Sequence, residues 1–69
     1  MSYQLHRISV LVVEDNLPML EITKSLLLTF GVGHVVTATD GQSGFRKFCE
    51  YTPDIVIADW MMRPMDGIA

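Results

Sequence analysis

Three acidic side chains in this sequence follow apolar runs with the length and composition of buried strands. Glu14 and Asp15 end the run "ISVLVVED", and Asp59 ends the run "DIVIAD". Carboxylate oxygens are the ligands that Mg²⁺ prefers, and a carboxylate can also act as a nucleophile that accepts a phosphoryl group. Carboxylates that lie close together are unfavourable unless a cation or protons neutralise them. These acids therefore predict an acidic cation pocket, provided that the fold brings the two runs together.

The elements between these acids indicate how the fold would do so. Both runs are apolar throughout, as in parallel strands that are covered on both faces. The connections are long enough for right-handed crossovers between parallel strands. We expect an α/β fold, the βαβαβ half of a doubly wound parallel sheet. The expected bounds are strands at 8–14, 34–39 and 54–59 and helices at 17–30 and 41–50, within one domain over 1–69.

In such sheets the working crevice lies beyond the carboxyl ends of the strands, where Glu14, Asp15 and Asp59 fall. One of the three would accept a phosphoryl group while the other two hold the ion, and the residues alone do not say which. Each acid also has a structural interpretation as a turn former or helix cap. Asp15 or Asn16 could cap the first helix, and Asp40 or Ser43 the second.

Two motifs resolve these roles by resemblance. "VLVVEDN" at 10–16 and "DIVIADWMMRPMDG" at 54–67 resemble the receiver domain of two-component response regulators, and "ATDGQSGF" before the second helix agrees. The resemblance implies a flavodoxin-like sheet with strand order 2-1-3. It implies that Asp59 is the phospho-acceptor. It also implies that Mg²⁺ is held by Glu14, Asp15, Asp59 and the backbone carbonyl of Met61.

The same resemblance implies a signalling role. The partner would be a histidine kinase or phosphotransfer protein that donates the phosphoryl group, and the chain would not itself be an enzyme. Arg63 departs from the family, which most often has Pro four residues after the acceptor, whereas here Pro64 comes one residue later. Met65, Asp66 and Gly67 keep their usual offsets, so we expect the site to survive.

The resemblance covers the N-terminal half of a receiver. The family's strands 4 and 5, with a Ser or Thr and a Lys that contact the phosphoryl group, would follow the third strand. We therefore do not expect full switching from this partial receiver, and any autophosphatase activity would need the missing half. The third strand would be an apolar edge, through which the chain self-associates or exchanges elements with a second copy.

Two other function classes remain open. A Mg²⁺-dependent phosphatase also uses an aspartyl nucleophile beyond a parallel strand. Such enzymes typically carry a second Asp two residues later, and here that position is Met61. A non-catalytic interaction module, in which the acids only cap helices, is the third alternative.

Composition limits the partners and the cellular compartment that we expect for the chain. The net charge is −3 with no basic run, so we expect no nucleic-acid binding by this segment. No apolar stretch approaches the roughly 18 residues needed to span a bilayer, and no signal peptide is visible. The single cysteine, Cys49, predicts a reduced, cytoplasmic setting. We expect Cys49 and the run Leu26–Leu28 to lie in the core.

Overall fold

The computed structural model of the chain describes residues 4–58, in which three strands alternate with two helices. After a 3₁₀ turn at Leu5–Arg7, the elements are β1 (Ser9–Val13), α1 (Leu17–Thr29), β2 (His34–Ala38), α2 (Gly41–Tyr51) and β3 (Ile55–Ala58). Each bound lies within one residue of the expected bound. Asp59, expected as the last residue of the third strand, lies outside the described residues.

The sheet is parallel, with strand order β2-β1-β3. β1 is central because the first crossover places β2 on one side of it and the second crossover places β3 on the other side. The predicted α/β half-sheet with order 2-1-3 is therefore confirmed. At the carboxyl edge, Val13 pairs with Ala38 on one side and with Ala58 on the other, so the three strands end level with one another.

Two small cores lie on the two faces of the sheet. On one face Val10 and Val12 pack with Leu20 of α1 and with Val32. On the other face Leu11 and Val13 pack with Ala38. β1 contributes to both clusters because successive side chains of a strand point to opposite faces. The four buried positions of β1, Val10–Val13, carry no polar residue, as this double burial requires.

Local signals set the helix ends. The side chain of Asn16 accepts a hydrogen bond from the Met19 N–H at 2.9 Å, and Pro18 lies in the first turn of α1. Gly31 follows α1 with a φ of +101°, a left-handed conformation that glycine adopts without strain. The helix cap is thus Asn16, and the alternative that assigned this cap to Asp15 is wrong.

The expectation that Cys49 lies in the core is also wrong, because its side chain is exposed. The buried residues of α2 are Gly41 and Gly44, and Gly44 lies against Val13 of β1. Cys49 is five positions beyond Gly44, which places it about 140° around the helix from that contact.

The Leu26–Leu28 run is only partly inside. Leu26 and Leu28 are 52% and 48% exposed, whereas Leu27 packs against the core. Leu27 lies seven positions after the buried Leu20 and so on nearly the same side of α1, while its two neighbours point about 100° to either side.

The amino ends of β1 and β3 are joined by a side chain as well as by the sheet. The Asp54 carboxylate accepts hydrogen bonds from the Ser9 N–H at 2.9 Å and from the Ser9 hydroxyl at 3.4 Å. The Asp54 N–H in turn donates to the Ser9 carbonyl at 2.9 Å. Asp54 thereby fixes where β3 begins to pair with β1.

The side chains of β3 are less covered than those of β1. Ile55, Val56 and Ile57 are between 41% and 47% exposed. Within residues 4–58, β3 has β1 as its one neighbour in the sheet. Over the same residues, no helix is long and apolar enough to cross a membrane.

Candidate functional site

The candidate site begins at the carboxyl edge of the sheet. Glu14 is the first residue beyond β1, and its N–H donates to the carbonyl of Ala38, the last residue of β2, at 3.0 Å. This bond extends the β1–β2 pairing by one step. The backbone of Glu14 is therefore held by the sheet and not by a free loop.

The Glu14 side chain is turned toward the start of α1. One of its carboxylate oxygens accepts a hydrogen bond from the Asn16 N–H at 3.1 Å. Because the Asn16 side chain in turn caps α1, residues Glu14 to Asn16 form a compact turn between strand and helix. Glu14 is half-buried in this turn.

Asp15 lies in the same turn with its side chain exposed. It does not cap α1, because Asn16 has that role. It stands next to the amino end of α1, where aligned peptide dipoles stabilise a negative charge by about 0.3–1 kcal/mol. Glu14 and Asp15 thus form an acidic pair at the edge of the sheet, with Asp15 open to solvent.

Asp40 follows β2 in the corresponding place but has a different environment. Its carboxylate accepts a hydrogen bond from the Ser43 N–H at 2.7 Å and caps α2. This hydrogen bond, with a smaller contribution from the charge of Arg46, lowers the pKa of the Asp40 carboxyl from its ordinary value. The acid after β2 therefore caps the helix that follows it, whereas Asp15 after β1 does not cap α1.

The remaining predicted site residues, Asp59 and Met61, lie outside the described residues. The strand that precedes them in the sequence, β3, is among the described residues. Ala58, which directly precedes Asp59 in sequence, pairs with Val13, which directly precedes Glu14. Two paired strands thus end level, and the next residue along each chain segment is an acid.

The described acids are suited to a hard cation but do not make a complete site. Within residues 4–58, no group of three or more His, Cys, Asp or Glu side chains is arranged to hold a metal ion. Glu14 and Asp15 offer carboxylate oxygens, the donor type that Mg²⁺ prefers. A full set of protein ligands would have to include residues beyond Ala58.

Sequence reasoning missed three features of this edge. It left the helix cap open between two residues, and it did not anticipate that the Asn16 N–H binds the Glu14 carboxylate. It also missed the close packing of α2 on β1, where Gly44 leaves no room for a side chain beside Val13. A glycine in the first turns of a helix that faces a buried strand was the available signal for this contact.

Comparison with known proteins gives a consistent result. The model of the response regulator receiver domain matches residues 10–69. The chain is 38% identical to the chemotaxis protein CheY of Bacillus subtilis over 63 residues, which is 91% of this chain and 51% of that protein. No solved structure matched the chain significantly.

Two longer proteins are also similar. The chain is 45% identical to the hybrid signal transduction histidine kinase D of Dictyostelium discoideum over 58 residues, 84% of this chain and 4% of that protein. It is 40% identical to the probable transcriptional regulator ycf27 of Guillardia theta over 58 residues, 84% of this chain and 22% of that protein.

The chain thus spans about half the length of its CheY relative and much less of the other two. The family model nevertheless covers most of the chain. The parallel β2-β1-β3 sheet agrees with that match. The chain therefore belongs to the response regulator receiver domain family, the signalling modules of two-component systems that interact with histidine kinases or phosphotransfer proteins.

Proposed function

We propose that this chain accepts a phosphoryl group on Asp59 from a histidine kinase or phosphotransfer protein, with Mg²⁺ bound beside it. The observation that carries the proposal is the pairing of Val13 with Ala58. Because these residues end adjacent strands, the sequence continues from one strand into Glu14 and Asp15 and from the other into Asp59. This arrangement supports a phospho-acceptor beside an acidic pair.

The proposed reaction is a transfer between two side chains. A carboxylate oxygen of Asp59 attacks the phosphorus of a phosphohistidine, a P–O bond forms, and the P–N bond to the imidazole breaks. The imidazole leaves with the electron pair of that bond and takes up a proton. Mg²⁺, when bound, would neutralise charge on the phosphoryl oxygens.

The residues of the chain have distinct parts in this proposal. Glu14, held by the Asn16 N–H, and the exposed Asp15 would bind the ion through carboxylate oxygens. Asp59 would complete the set together with the Met61 carbonyl. The hydrogen bond from the Asn16 N–H would hold Glu14 in place, so that less reorganisation of this carboxylate is needed when the ion binds.

The test is phosphorylation of the 69-residue chain by a small acyl phosphate in the presence of Mg²⁺. We expect a mass gain of one phosphoryl group that is lost in mild alkali, as an acyl phosphate would be. Asp59→Asn should abolish the gain, and Asp15→Asn should reduce it and raise the Mg²⁺ concentration required. Glu21→Gln, which removes an exposed carboxylate from α1, is the matched control and should behave as the wild type.

The same experiment separates the alternatives. Steady release of phosphate without an accumulating adduct would favour a Mg²⁺-dependent phosphatase. No adduct, together with no effect of Mg²⁺ on Trp60 fluorescence, would favour a non-catalytic interaction module. An adduct that survives in Asp59→Asn would contradict the assignment of the acceptor.

Self-association is the second part of the proposal. β3 has a single neighbour in the described sheet, and its side chains Ile55 to Ile57 are more than two-fifths exposed. An apolar edge of this kind is a template for pairing with a second copy or for exchange of elements. Sedimentation of the wild-type chain as a folded monomer at micromolar concentration would contradict this part. We also propose a cytoplasmic setting, because a single cysteine is typical of proteins in a reducing compartment.

A further inference from the structure

The outer edge of β2 has a feature that the receiver function does not use. β2 is the outermost strand on its side of the described sheet. The His34 N–H donates to the Ile8 carbonyl at 3.3 Å, and the Ala38 carbonyl accepts from the Glu14 N–H at 3.0 Å. Backbone polar groups therefore point toward β1 at these even-numbered positions, and those of Val35 and Thr37 point away from the sheet.

One of the outward groups is occupied by a lysine. The Lys47 ammonium donates a hydrogen bond to the Thr37 carbonyl at 2.7 Å. Lys47 belongs to α2, which packs across β1 and β2, so its side chain reaches over the edge of the sheet from one face. A hydrogen bond from a charged donor to a carbonyl is stronger than one between neutral groups.

β2 itself lacks the usual protection of an edge strand. Its sequence, "HVVTA", contains no lysine, proline or acid. Three of its five residues are β-branched, and a short β-branched segment of low charge pairs readily with other strands. Protection of this edge has to come from outside the strand, and Lys47 is the side chain that supplies it at Thr37.

We propose that Lys47 blocks the β2 edge against pairing with a second copy of this chain. Its ammonium occupies the carbonyl that an incoming strand would need as an acceptor. It also places a charge that would have to be desolvated before the two edges could meet. This proposal does not depend on phosphorylation of Asp59, and it concerns the opposite side of the sheet from the β3 edge.

The test is Lys47→Met, which keeps the length of the aliphatic chain and removes the donor and the charge. We expect the weight-average mass in sedimentation at micromolar concentration to increase at least two-fold over the wild type. Amide hydrogen exchange should slow at Val35 and Thr37, whose N–H groups point outward. An unchanged mass would overturn the proposal. So would amide exchange that slows at Ile55–Ala58 but stays unchanged in β2.

Two further variants exclude a general effect of charge or folding. Lys24→Met removes the same charge from α1 and should leave the mass unchanged, so equal association of both variants would overturn the proposal. Lys47→Met combined with Thr37→Pro should return to the wild-type mass, because proline removes the outward N–H that strand pairing requires. Circular dichroism checks that each variant is folded.

The wild-type chain gives an independent test that survives if Lys47→Met does not fold. Nitrogen-detected NMR should show a scalar coupling between the Lys47 ammonium and the Thr37 carbonyl, with slower ammonium proton exchange than at Lys24. A Lys47 ammonium that exchanges as fast as that of Lys24 would contradict the proposal.

Discussion

Gly44 of α2 lies directly against the side chain of Val13 at the end of β1. A Cβ atom at position 44 would be 2.8 Å from Val13 Cγ2 and 3.2 Å from its Cγ1. Val13 is 6% exposed and is the last residue before Glu14. The contact between α2 and the sheet therefore sets the position of the strand end from which the acidic pair follows.

Gly44→Ala should destabilise the chain, because the steric clash with Val13 outweighs the gain in helix propensity. Alanine is a better helix former than glycine by about 1 kcal/mol. Forcing a methyl group into a packed site costs about 1–3 kcal/mol, and the stiff, β-branched Val13 has few ways to yield. We expect urea unfolding to give a free energy of unfolding lower by about 1 kcal/mol.

A double-mutant cycle identifies the cause. Val13→Ala removes both methyl groups that the new Cβ would meet. In that background Gly44→Ala should raise the free energy of unfolding, since only the gain in helix propensity remains. A loss of stability of equal size in both backgrounds would show that the clash with Val13 is not responsible.

Thr52 ends α2 in a backbone conformation that threonine rarely adopts. Its φ and ψ are 45° and 60°, and its N–H donates to the Phe48 carbonyl at 2.9 Å. The left-handed conformation costs a residue with a Cβ about 1–2 kcal/mol, and the greater freedom of glycine in the unfolded chain returns about 0.5–1 kcal/mol of that. Thr52→Gly should therefore raise the free energy of unfolding by about 0.5–1 kcal/mol.

Thr29→Gly is the matched control for this change. Thr29 is the last residue of α1, and Thr52 is the one residue other than glycine with a positive φ in residues 4–58. The control should lower stability by roughly a few tenths of a kcal/mol, because no strain is relieved there. Thermal unfolding that moves in the same direction for both variants would contradict the strain at Thr52.

The Asp40 cap makes part of the stability depend on pH. The Ser43 N–H holds the pKa of Asp40 below its ordinary value of 3.8, so the native state favours the ionised carboxylate. The contribution is complete above the unfolded-state pKa and is lost as pH falls through the lower native pKa. Asp40→Asn keeps a capping oxygen but does not titrate. We expect the difference in free energy of unfolding between wild type and Asp40→Asn to shrink as pH falls from about 6 to about 3.

This comparison cancels the other carboxylates, which titrate in both proteins. Urea unfolding at a series of pH values measures the difference directly. Parallel curves for the two proteins, with no change in their separation, would mean that the Asp40 carboxylate gains nothing from ionisation in the native state.

The sheet could be predicted from the sequence because each strand has its own local signal. The apolar run of β1 fits burial on both faces, and it has no interruption that would suggest a helix or loop. The acids that follow the apolar runs of β1 and β3 mark the carboxyl edge of the sheet in the sequence itself. This edge was predictable for a simple reason: parallel crossovers bring strand ends of the same polarity together.

The cap of α1 and the exposure of Cys49 could not be predicted, because the sequence signals for them are weak or fit more than one residue. Asp15 and Asn16 are equally good caps, and the choice depends on where the sheet stops pairing after Val13. The apolar neighbours of Cys49 predict a core position, whereas α2 packs on β1 at Gly44, and a glycine gives no hydrophobic signal. The placement of Asp59 and Met61 lies outside the described residues, so their roles stay predictions.

Asp54 should control the pairing of β3 with β1. Its carboxylate binds the Ser9 N–H, and its own N–H binds the Ser9 carbonyl. Asp54→Ala removes the acceptor, and a hydrogen bond to a charged group contributes about 1.5–3 kcal/mol, with less at an exposed site. We expect a loss of about 1–2 kcal/mol in urea unfolding and faster amide exchange along Ile55–Ala58.

Two controls separate the role of this carboxylate from a general effect of substitution. Ser9→Ala removes only the hydroxyl contact at 3.4 Å and keeps the backbone N–H, so it should have little effect. Asp54→Asn keeps an acceptor oxygen and should fall between the two. Because a shift of one residue would turn every β3 side chain to the other face, Asp54→Ala should also reduce phosphorylation of Asp59. Asp54→Ala that unfolds no more easily than Ser9→Ala would show that the strand register is fixed elsewhere.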